Sequence, residues 1–186
     1  MSTIAYLKSL VRDKNVASIT PSSSFTVKKA TQKIDFSRDI VIVEFGPGTG
    51  VFADYLLKKM TPGSTLIMIE LNPEFAKQLR TIDDKRAHVH EASAEKVGEI
   101  VKEHGFEKVD YFLSGIPFSF LDDEIKTAIL TTSSGLLKGD GYFLAYQTSG
   151  HLKEPLGRAF DDVQTSFEIR NIPPMTIYEA RNNGKL

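Results

Sequence analysis

The sequence predicts an α/β protein of the doubly wound type, with helices on both faces of a mostly parallel sheet. Three observations carry that expectation. Short β-branched runs alternate with amphipathic stretches from residue 40 onward, a glycine-rich loop follows the first run, and two runs near residue 175 read as an antiparallel pair.

Ile40-Val41-Ile42-Val43-Glu44-Phe45 has the texture of a strand buried on both faces. The glycine loop after it opens a helix whose apolar side carries Phe52, Tyr55, Leu56 and Leu57, and Pro62-Gly63 ends it. A second buried strand covers 65–69, and Pro73 stands where a first helical turn tolerates proline, before a helix over 74–80. A short strand over 87–90 precedes a charged helix over 94–104. Another apolar strand covers 109–114, and a helix follows over about 122–132. Gly139-Asp140-Gly141 turns the chain into a strand over 142–147. Two strands over 166–170 and 175–180, joined by Asn171-Ile172-Pro173-Pro174, complete the pattern.

Residues 1–38 differ in character from this core, so the expected organisation is a basic, helical N-terminal segment (1–38) and one domain (39–186). The segment holds Lys8, Arg12, Lys14, Lys28, Lys29, Lys33 and Arg38 against Asp13 and Asp35, a net +5 in a chain whose total is −1. Ile4, Leu7 and Val11 form a helical stripe flanked by Lys8 and Arg12, and a second helical stretch near 27–32 follows Thr20-Pro21-Ser22-Ser23-Ser24. Such a helix suits the interface of an anionic membrane, although more often one of this kind packs on its own domain.

Composition narrows the function classes. With 41% hydrophobic and 25% charged residues the chain is neither disordered nor fibrous. The absence of cysteine excludes disulfides, thiolate zinc sites, iron–sulfur clusters and a cysteine nucleophile. No apolar run approaches the ~20 residues that span a bilayer, and no signal peptide opens the chain, so a cytoplasmic location is expected. Four histidines, at 88, 90, 104 and 151, read as scattered surface or packing residues, and no metal site is expected.

The loop Glu44-Phe45-Gly46-Pro47-Gly48-Thr49-Gly50 lies where an open α/β sheet binds ligands, at the carboxyl end of its first strand. It is not a dinucleotide fingerprint, because Val51 stands where the third glycine belongs. It is not a P-loop either, since no Lys-Ser/Thr follows. Glu44, just before the turn, suits an ammonium group. Glu70, at the end of the second strand, suits ribose hydroxyls. A nucleoside with a cationic amino-acid tail satisfies both, which is the chemistry of S-adenosylmethionine.

Residues 43–50 resemble the first motif of class I S-adenosylmethionine-dependent methyltransferases, and Ile69-Glu70-Leu71-Asn72 resembles the second. The resemblance implies a Rossmann-like seven-stranded sheet with an antiparallel final strand and N-terminal helices. It implies that Gly46, Gly48 and Gly50 line the methionine moiety, with Glu44, Phe45, Pro47 and Thr49 beside them. Glu70, Leu71 and Asn72 then take the ribose, and Glu91, Ala92 and Ser93 the adenine.

The fourth motif, Ser114-Gly115-Ile116-Pro117-Phe118, lacks the Asn or Asp by which base-directed amino-methyltransferases orient their target. It resembles instead the motif of bacterial phospholipid N-methyltransferases. Tyr6-Leu7 with Thr20-Pro21-Ser22-Ser23, and Asn171-Ile172-Pro173-Pro174-Met175-Thr176-Ile177-Tyr178, are similar to that family's leading segment and closing strand. The implied reaction methylates the amine of phosphatidylethanolamine, towards phosphatidylcholine, by an enzyme held peripherally at the inner membrane surface through residues 1–38. Ser114, Pro117, Phe118 and Tyr146 are the catalytic candidates, with Ser114 also beside the cofactor. Phe118 and Phe120 offer ring faces to a methylated cation or serve the core. Tyr6 and Tyr178 are further candidates for gripping the headgroup.

The competing readings are an rRNA adenine N6-methyltransferase-like enzyme, a small-molecule N-methyltransferase, and a cofactor-binding module without turnover. The motif spacing places the methyltransferase core at 40–180 and leaves six residues after it, so no C-terminal RNA-recognition domain of the adenine dimethylase kind is expected. Nucleic acid is accordingly the less favoured partner.

Overall fold

A single seven-stranded sheet organises the computed structural model, which describes residues 23–148 and 150–183. The strands are β1 (Val41–Phe45), β2 (Thr65–Glu70), β3 (Ala87–Glu91), β4 (Val109–Ser114), β5 (Leu137–Gln147), β6 (Asp162–Glu168) and β7 (Met175–Arg181). The helices are α1 (Ser24–Ala30), α2 (Val51–Lys59), α3 (Pro73–Leu79), α4 (Val97–Glu103), α5 (Asp123–Leu136) and α6 (Lys153–Ala159).

The strand order is β3-β2-β1-β4-β5-β7-β6. β1 to β5 run parallel, and β7 lies antiparallel between β5 and β6. The expected doubly wound sheet with an antiparallel last strand is therefore present. Alternation along each strand splits the core in two. Val43, Phe45, Ile67 and Phe112 pack with Val97, Ile129 and Leu156 of α4, α5 and α6. Ile42, Leu66, Met68 and Leu144 pack with Val27, Phe52 and Leu79 of α1, α2 and α3.

Several expected elements differ in detail. The charged helix over 94–104 is a 3₁₀ turn (Ala94–Lys96) followed by α4. Gly139-Asp140-Gly141 does not turn the chain. It bulges within one 11-residue strand, since Val109 pairs with Leu137 and Tyr111 already with Tyr142. Gly141 fits because a Cβ there would collide with the Asp110 carbonyl and the Leu137 side chain. α6 has no counterpart among the expected elements. Proline sits in the first turn of α6, where its missing N–H costs nothing. α5 extends to Leu136, and β6 starts at Asp162 rather than 166.

The described part of the N-terminal segment is built into the sheet's packing. Val27, Ala30 and Ile34 belong to the same buried cluster as Ile42 and Leu66. Arg38 and Lys138 both reach the buried Asp110, at 2.7 and 2.8 Å, and the same carboxylate accepts from Val41 N at 2.8 Å. At the other end, the buried Asn171 Oδ1 accepts from Ser23 N (2.9 Å) and Thr26 Oγ1 (3.0 Å), tying α1 to the β6–β7 hairpin. The stripe of Ile4, Leu7 and Val11, and Tyr6, lie outside the described residues. Among the described residues, no helix is long and apolar enough to cross a membrane.

Candidate active site

Strand order reverses between β1 and β4, and the loops that leave these strands meet at their carboxyl ends. That is the crevice an open α/β sheet offers a ligand. The loop after β1 passes through the left-handed region three times, with φ of 63° at Gly46, 56° at Gly48 and 85° at Gly50. Gly48 shows why. Its N–H reaches Glu70 Oε2 at 3.0 Å, and nothing lies within 4 Å of where a Cβ would stand, so the loop offers bare backbone to a ligand. Gly46 N donates to Ile69 O and Gly50 N to Pro47 O. Pro47 is buried beneath the loop and Thr49 exposed on it.

Glu70 is held from both sides, its Oε1 accepting from Asn72 N at 2.8 Å and its Oε2 from Gly48 N. A carboxylate has about four acceptor positions, so this clamp leaves capacity for ligand hydroxyls. Burial pushes its pKa up, against the N–H groups of Asn72, Gly48 and Leu71. Asn72 caps α3 by accepting from Glu74 N at 2.9 Å, with Pro73 in the first turn as expected.

Glu44 is different. It is fully buried and neither carboxylate oxygen has a hydrogen-bond partner. Burial, then the Glu70 charge, push its pKa up to about 8. An unpartnered buried carboxyl is costly, and a cation set against it removes the cost. Its neighbour Phe45 serves the opposite face, stacked on Phe112 at 5.5 Å.

Tyr146, near the end of β5, shares the face of Glu44 and stacks on Phe52 of α2 at 4.2 Å. Burial, followed by Glu44 and Glu70, holds its pKa well above the ordinary phenol value. A Cβ on Gly115 would come 2.5 Å from the Tyr146 hydroxyl and 3.1 Å from the Gly46 carbonyl. The missing side chain in the fourth motif is thus the room into which Tyr146 fits. In the sequence Gly115 shows only as the loss of an acceptor, because nothing local reveals that a residue 31 positions later fills the place. Ser114 is fully buried, with its Oγ accepting from Ile116 N at 3.3 Å, and Gly115 N donates to Phe45 O at 2.9 Å.

Ala92 N donates to Glu70 O at 3.1 Å, which brings the loop after β3 to the site. Ser93 caps the 3₁₀ turn by accepting from Glu95 N, and Glu91 is exposed and ion-paired with Arg80 at 3.4 Å. Pro117 precedes the 3₁₀ turn Phe118–Phe120. Phe118 is 1% exposed and meets Phe143 edge-on in the core, whereas Phe120 is 46% exposed, so the open ring is Phe120.

Three histidines that look scattered in the sequence converge. His90 Nε2 and His104 Nε2 lie 2.8 Å apart, and the His88 ring is 4.6 Å from that of His104. Burial is the leading cause that lowers the pKa of both His90 and His104. His104 arrives from the end of α4, which no strand periodicity reveals. Among the described residues no group is arranged to hold a metal ion.

No protein-family model matches the chain. The ornithine lipid N-methyltransferase of Singulisphaera acidiphila is 28% identical over 169 residues, covering 89% of this chain and 88% of that protein. The N-methyltransferase NodS of Bradyrhizobium japonicum WM9, solved with S-adenosyl-L-homocysteine, superposes with a TM-score of 0.67 at 13% identity, over 98% of this chain and 99% of that one. The 1,6-didemethyltoxoflavin-N1-methyltransferase of Burkholderia thailandensis gives 0.67 at 17% identity, over 96% and 86%. The fold is that of the class I S-adenosylmethionine-dependent methyltransferases. Fold, glycine loop and the relative from Singulisphaera together define the chain as a methyltransferase.

The residues present also fit the donor of that class. An unpartnered buried carboxyl at Glu44 suits a cationic tail, a fixed carboxylate at Glu70 suits vicinal hydroxyls, and bare glycine backbone lies between them.

Proposed function

We propose that this chain is a lipid N-methyltransferase, transferring methyl groups from S-adenosylmethionine to the headgroup amine of phosphatidylethanolamine. The observation that carries the acceptor class is the similarity, over 89% of the chain, to a protein named for N-methylation of a lipid. Gly115 supports it, since the fourth motif carries no side chain to orient a nucleobase amine.

When bound, S-adenosylmethionine supplies a methyl group activated on a positive sulfur. Glu44 answers the positive charge of the donor, and Glu70 takes its ribose hydroxyls. The backbone of Gly46, Gly48 and Gly50 lets the methionine part lie close, and Ala92 and Ser93 border the adenine. Ser114 and Pro117 fix the path of the loop after β4. The Tyr146 hydroxyl, kept protonated by its buried acidic surroundings, has lone pairs to accept an N–H of the incoming amine. That contact turns the nitrogen lone pair toward the methyl, which is the positioning an in-line displacement requires. Phe120 offers its open ring to the amine as it gains methyl groups and permanent charge.

The test supplies methyl-labelled S-adenosylmethionine with three acceptors in parallel: vesicles containing phosphatidylethanolamine, vesicles containing an ornithine lipid, and ribosomal RNA. Label in the phosphatidylethanolamine arm is expected. Label in the ornithine lipid alone moves the acceptor to that amine. Label in RNA, or in no lipid although calorimetry shows donor binding, removes the proposal.

A further inference from the structure

A lipid-modifying enzyme must meet its substrate at a bilayer, and one surface of this fold has the character for it. β6 ends and β7 begins at the same edge of the sheet as the glycine loop, because Thr176 pairs with Gln147, the last residue of β5. The hairpin tip, from the end of β6 to the start of β7, carries the most exposed of the large apolar side chains among the described residues. Phe167 is 65% exposed, Ile169 77% and Ile172 82%, and Phe25 of α1, 45% exposed, stands beside them under the Arg170 guanidinium at 4.1 Å.

Cations surround this apolar group. Lys29 Nζ donates to the Phe167 carbonyl, Lys28 is exposed one residue before it, and Arg170 covers the tip. The acid in this neighbourhood, Glu168, is 2% exposed and held by Arg170 at 2.7 Å, so it offers little charge to a partner. The buried Asn171 fixes the tip, donating from Nδ2 to Pro173 O at 2.8 Å and accepting from Ser23 N and Thr26 Oγ1.

We propose that the β6–β7 tip, with the start of α1, is a membrane-docking surface that enters the interface of an anionic phospholipid bilayer. The proposal rests on the lipid-methyltransferase reading above. Large apolar chains on a projecting loop suit the acyl boundary, and a rim of lysine and arginine suits anionic headgroups. Docking there turns the carboxyl edge of the sheet, and the site on it, toward the layer that holds the headgroup amines.

The chain has no tryptophan, so a single introduced indole reports its own surroundings. Ile172→Trp is expected to shift its emission to the blue on vesicles of equimolar phosphatidylglycerol and phosphatidylcholine, and to be quenched by brominated acyl chains. The triple variant Phe167→Ser, Ile169→Ser, Ile172→Ser is expected to lose about tenfold or more in vesicle affinity. It should keep its melting temperature, its donor affinity and its methyl transfer to a short-chain, monomeric phosphatidylethanolamine. Vesicle affinity equal to that of the unaltered chain overturns the proposal, as does an Ile172→Trp protein that co-sediments with vesicles without spectral change. A blue shift that grows with protein concentration in the absence of vesicles also overturns it, in favour of a second copy of the chain. Methyl transfer is scored separately. Docking through these residues without lipid methylation supports this surface while removing the acceptor reading, and lipid methylation unaffected by the triple change on vesicles overturns this surface alone.

Discussion

The hydroxyl of Tyr146 stands in the space that a side chain at position 115 would need, 2.5 Å from the site of a Cβ on Gly115. Two segments far apart in the sequence, the loop after β4 and the end of β5, are therefore fitted to one another at the floor of the site. Gly115 is not one of the left-handed glycines, so the constraint on it is steric.

Gly115→Ala should then destabilise the fold by about 1–3 kcal/mol through overpacking. Tyr146→Phe removes the nearest atom, and the double variant should recover most of the loss. Thermal unfolding of both single variants and the double variant measures this, and simple additivity would refute the fitted pair. Tyr146→Phe alone should lower kcat about tenfold, the scale of one hydrogen bond, with donor affinity unchanged.

Glu44 gives the fold a pH dependence of definite sign. The carboxyl titrates near 4.5 when free and near 8 in the fold, so across that window the folded chain keeps a proton the unfolded chain has released. Stability is greatest below the lower value and falls as pH rises through the higher one, and Glu70, raised in the same direction, adds to the trend. Melting curves should decline over this range in the unaltered chain and more gently in Glu44→Gln. Donor binding near pH 7 should release about one proton, seen by calorimetry in buffers of different ionisation enthalpy and lost in Glu44→Gln.

Glu70 joins the two halves of the donor site. Glu70→Ala removes the acceptor of Gly48 N and Asn72 N, and should weaken donor affinity by about 1.5–3 kcal/mol. Gly48→Val should abolish binding, since a β-branched residue resists φ of 56° and closes the open surface. Unchanged affinity in Glu70→Ala, by equilibrium dialysis, would refute the ribose assignment.

Asp110 is the stability test that leaves the site alone. Burial works against its ionisation, yet Lys138, the Val41 N–H and Arg38 hold its pKa below the ordinary value. It therefore stabilises the fold above the ordinary carboxylate range and loses that contribution as pH falls. Asp110→Ala leaves the buried Val41 N–H without its acceptor and takes one partner from Arg38 and Lys138, and should cost about 1–3 kcal/mol in denaturant unfolding. A cost within the noise of surface substitutions would show the network to be idle.

The sheet was legible because its central parallel strands are buried on both faces and read as unbroken apolar runs, as in Ile40–Val43 and the strand over 65–69. The glycine loop and Glu70 were legible because loop and strand end are local patterns of fixed spacing. What escaped depends on contacts between distant segments. The histidine convergence joins a strand to the far end of a helix, and Tyr146 meets Gly115 only through the pairing of β4 with β5. The bulge at Gly139–Gly141 reads as a turn because glycine marks both, and only the register with β4 separates them.

The clamp of Asn171 on Ser23 and Thr26 also sets an order of assembly. Its partners are 148 and 145 positions apart, and Gln32 likewise waits for Glu179 across 147. As the chain leaves the ribosome, the strands up to β5 can pair in succession while α1 still lacks its contacts with β6 and β7. The segment synthesised earliest among the described helices is the one fastened last. A nascent chain paused before residue 171 would hold β1 to β5 without β7, and α1 without the Asn171 and Glu179 that fasten its ends.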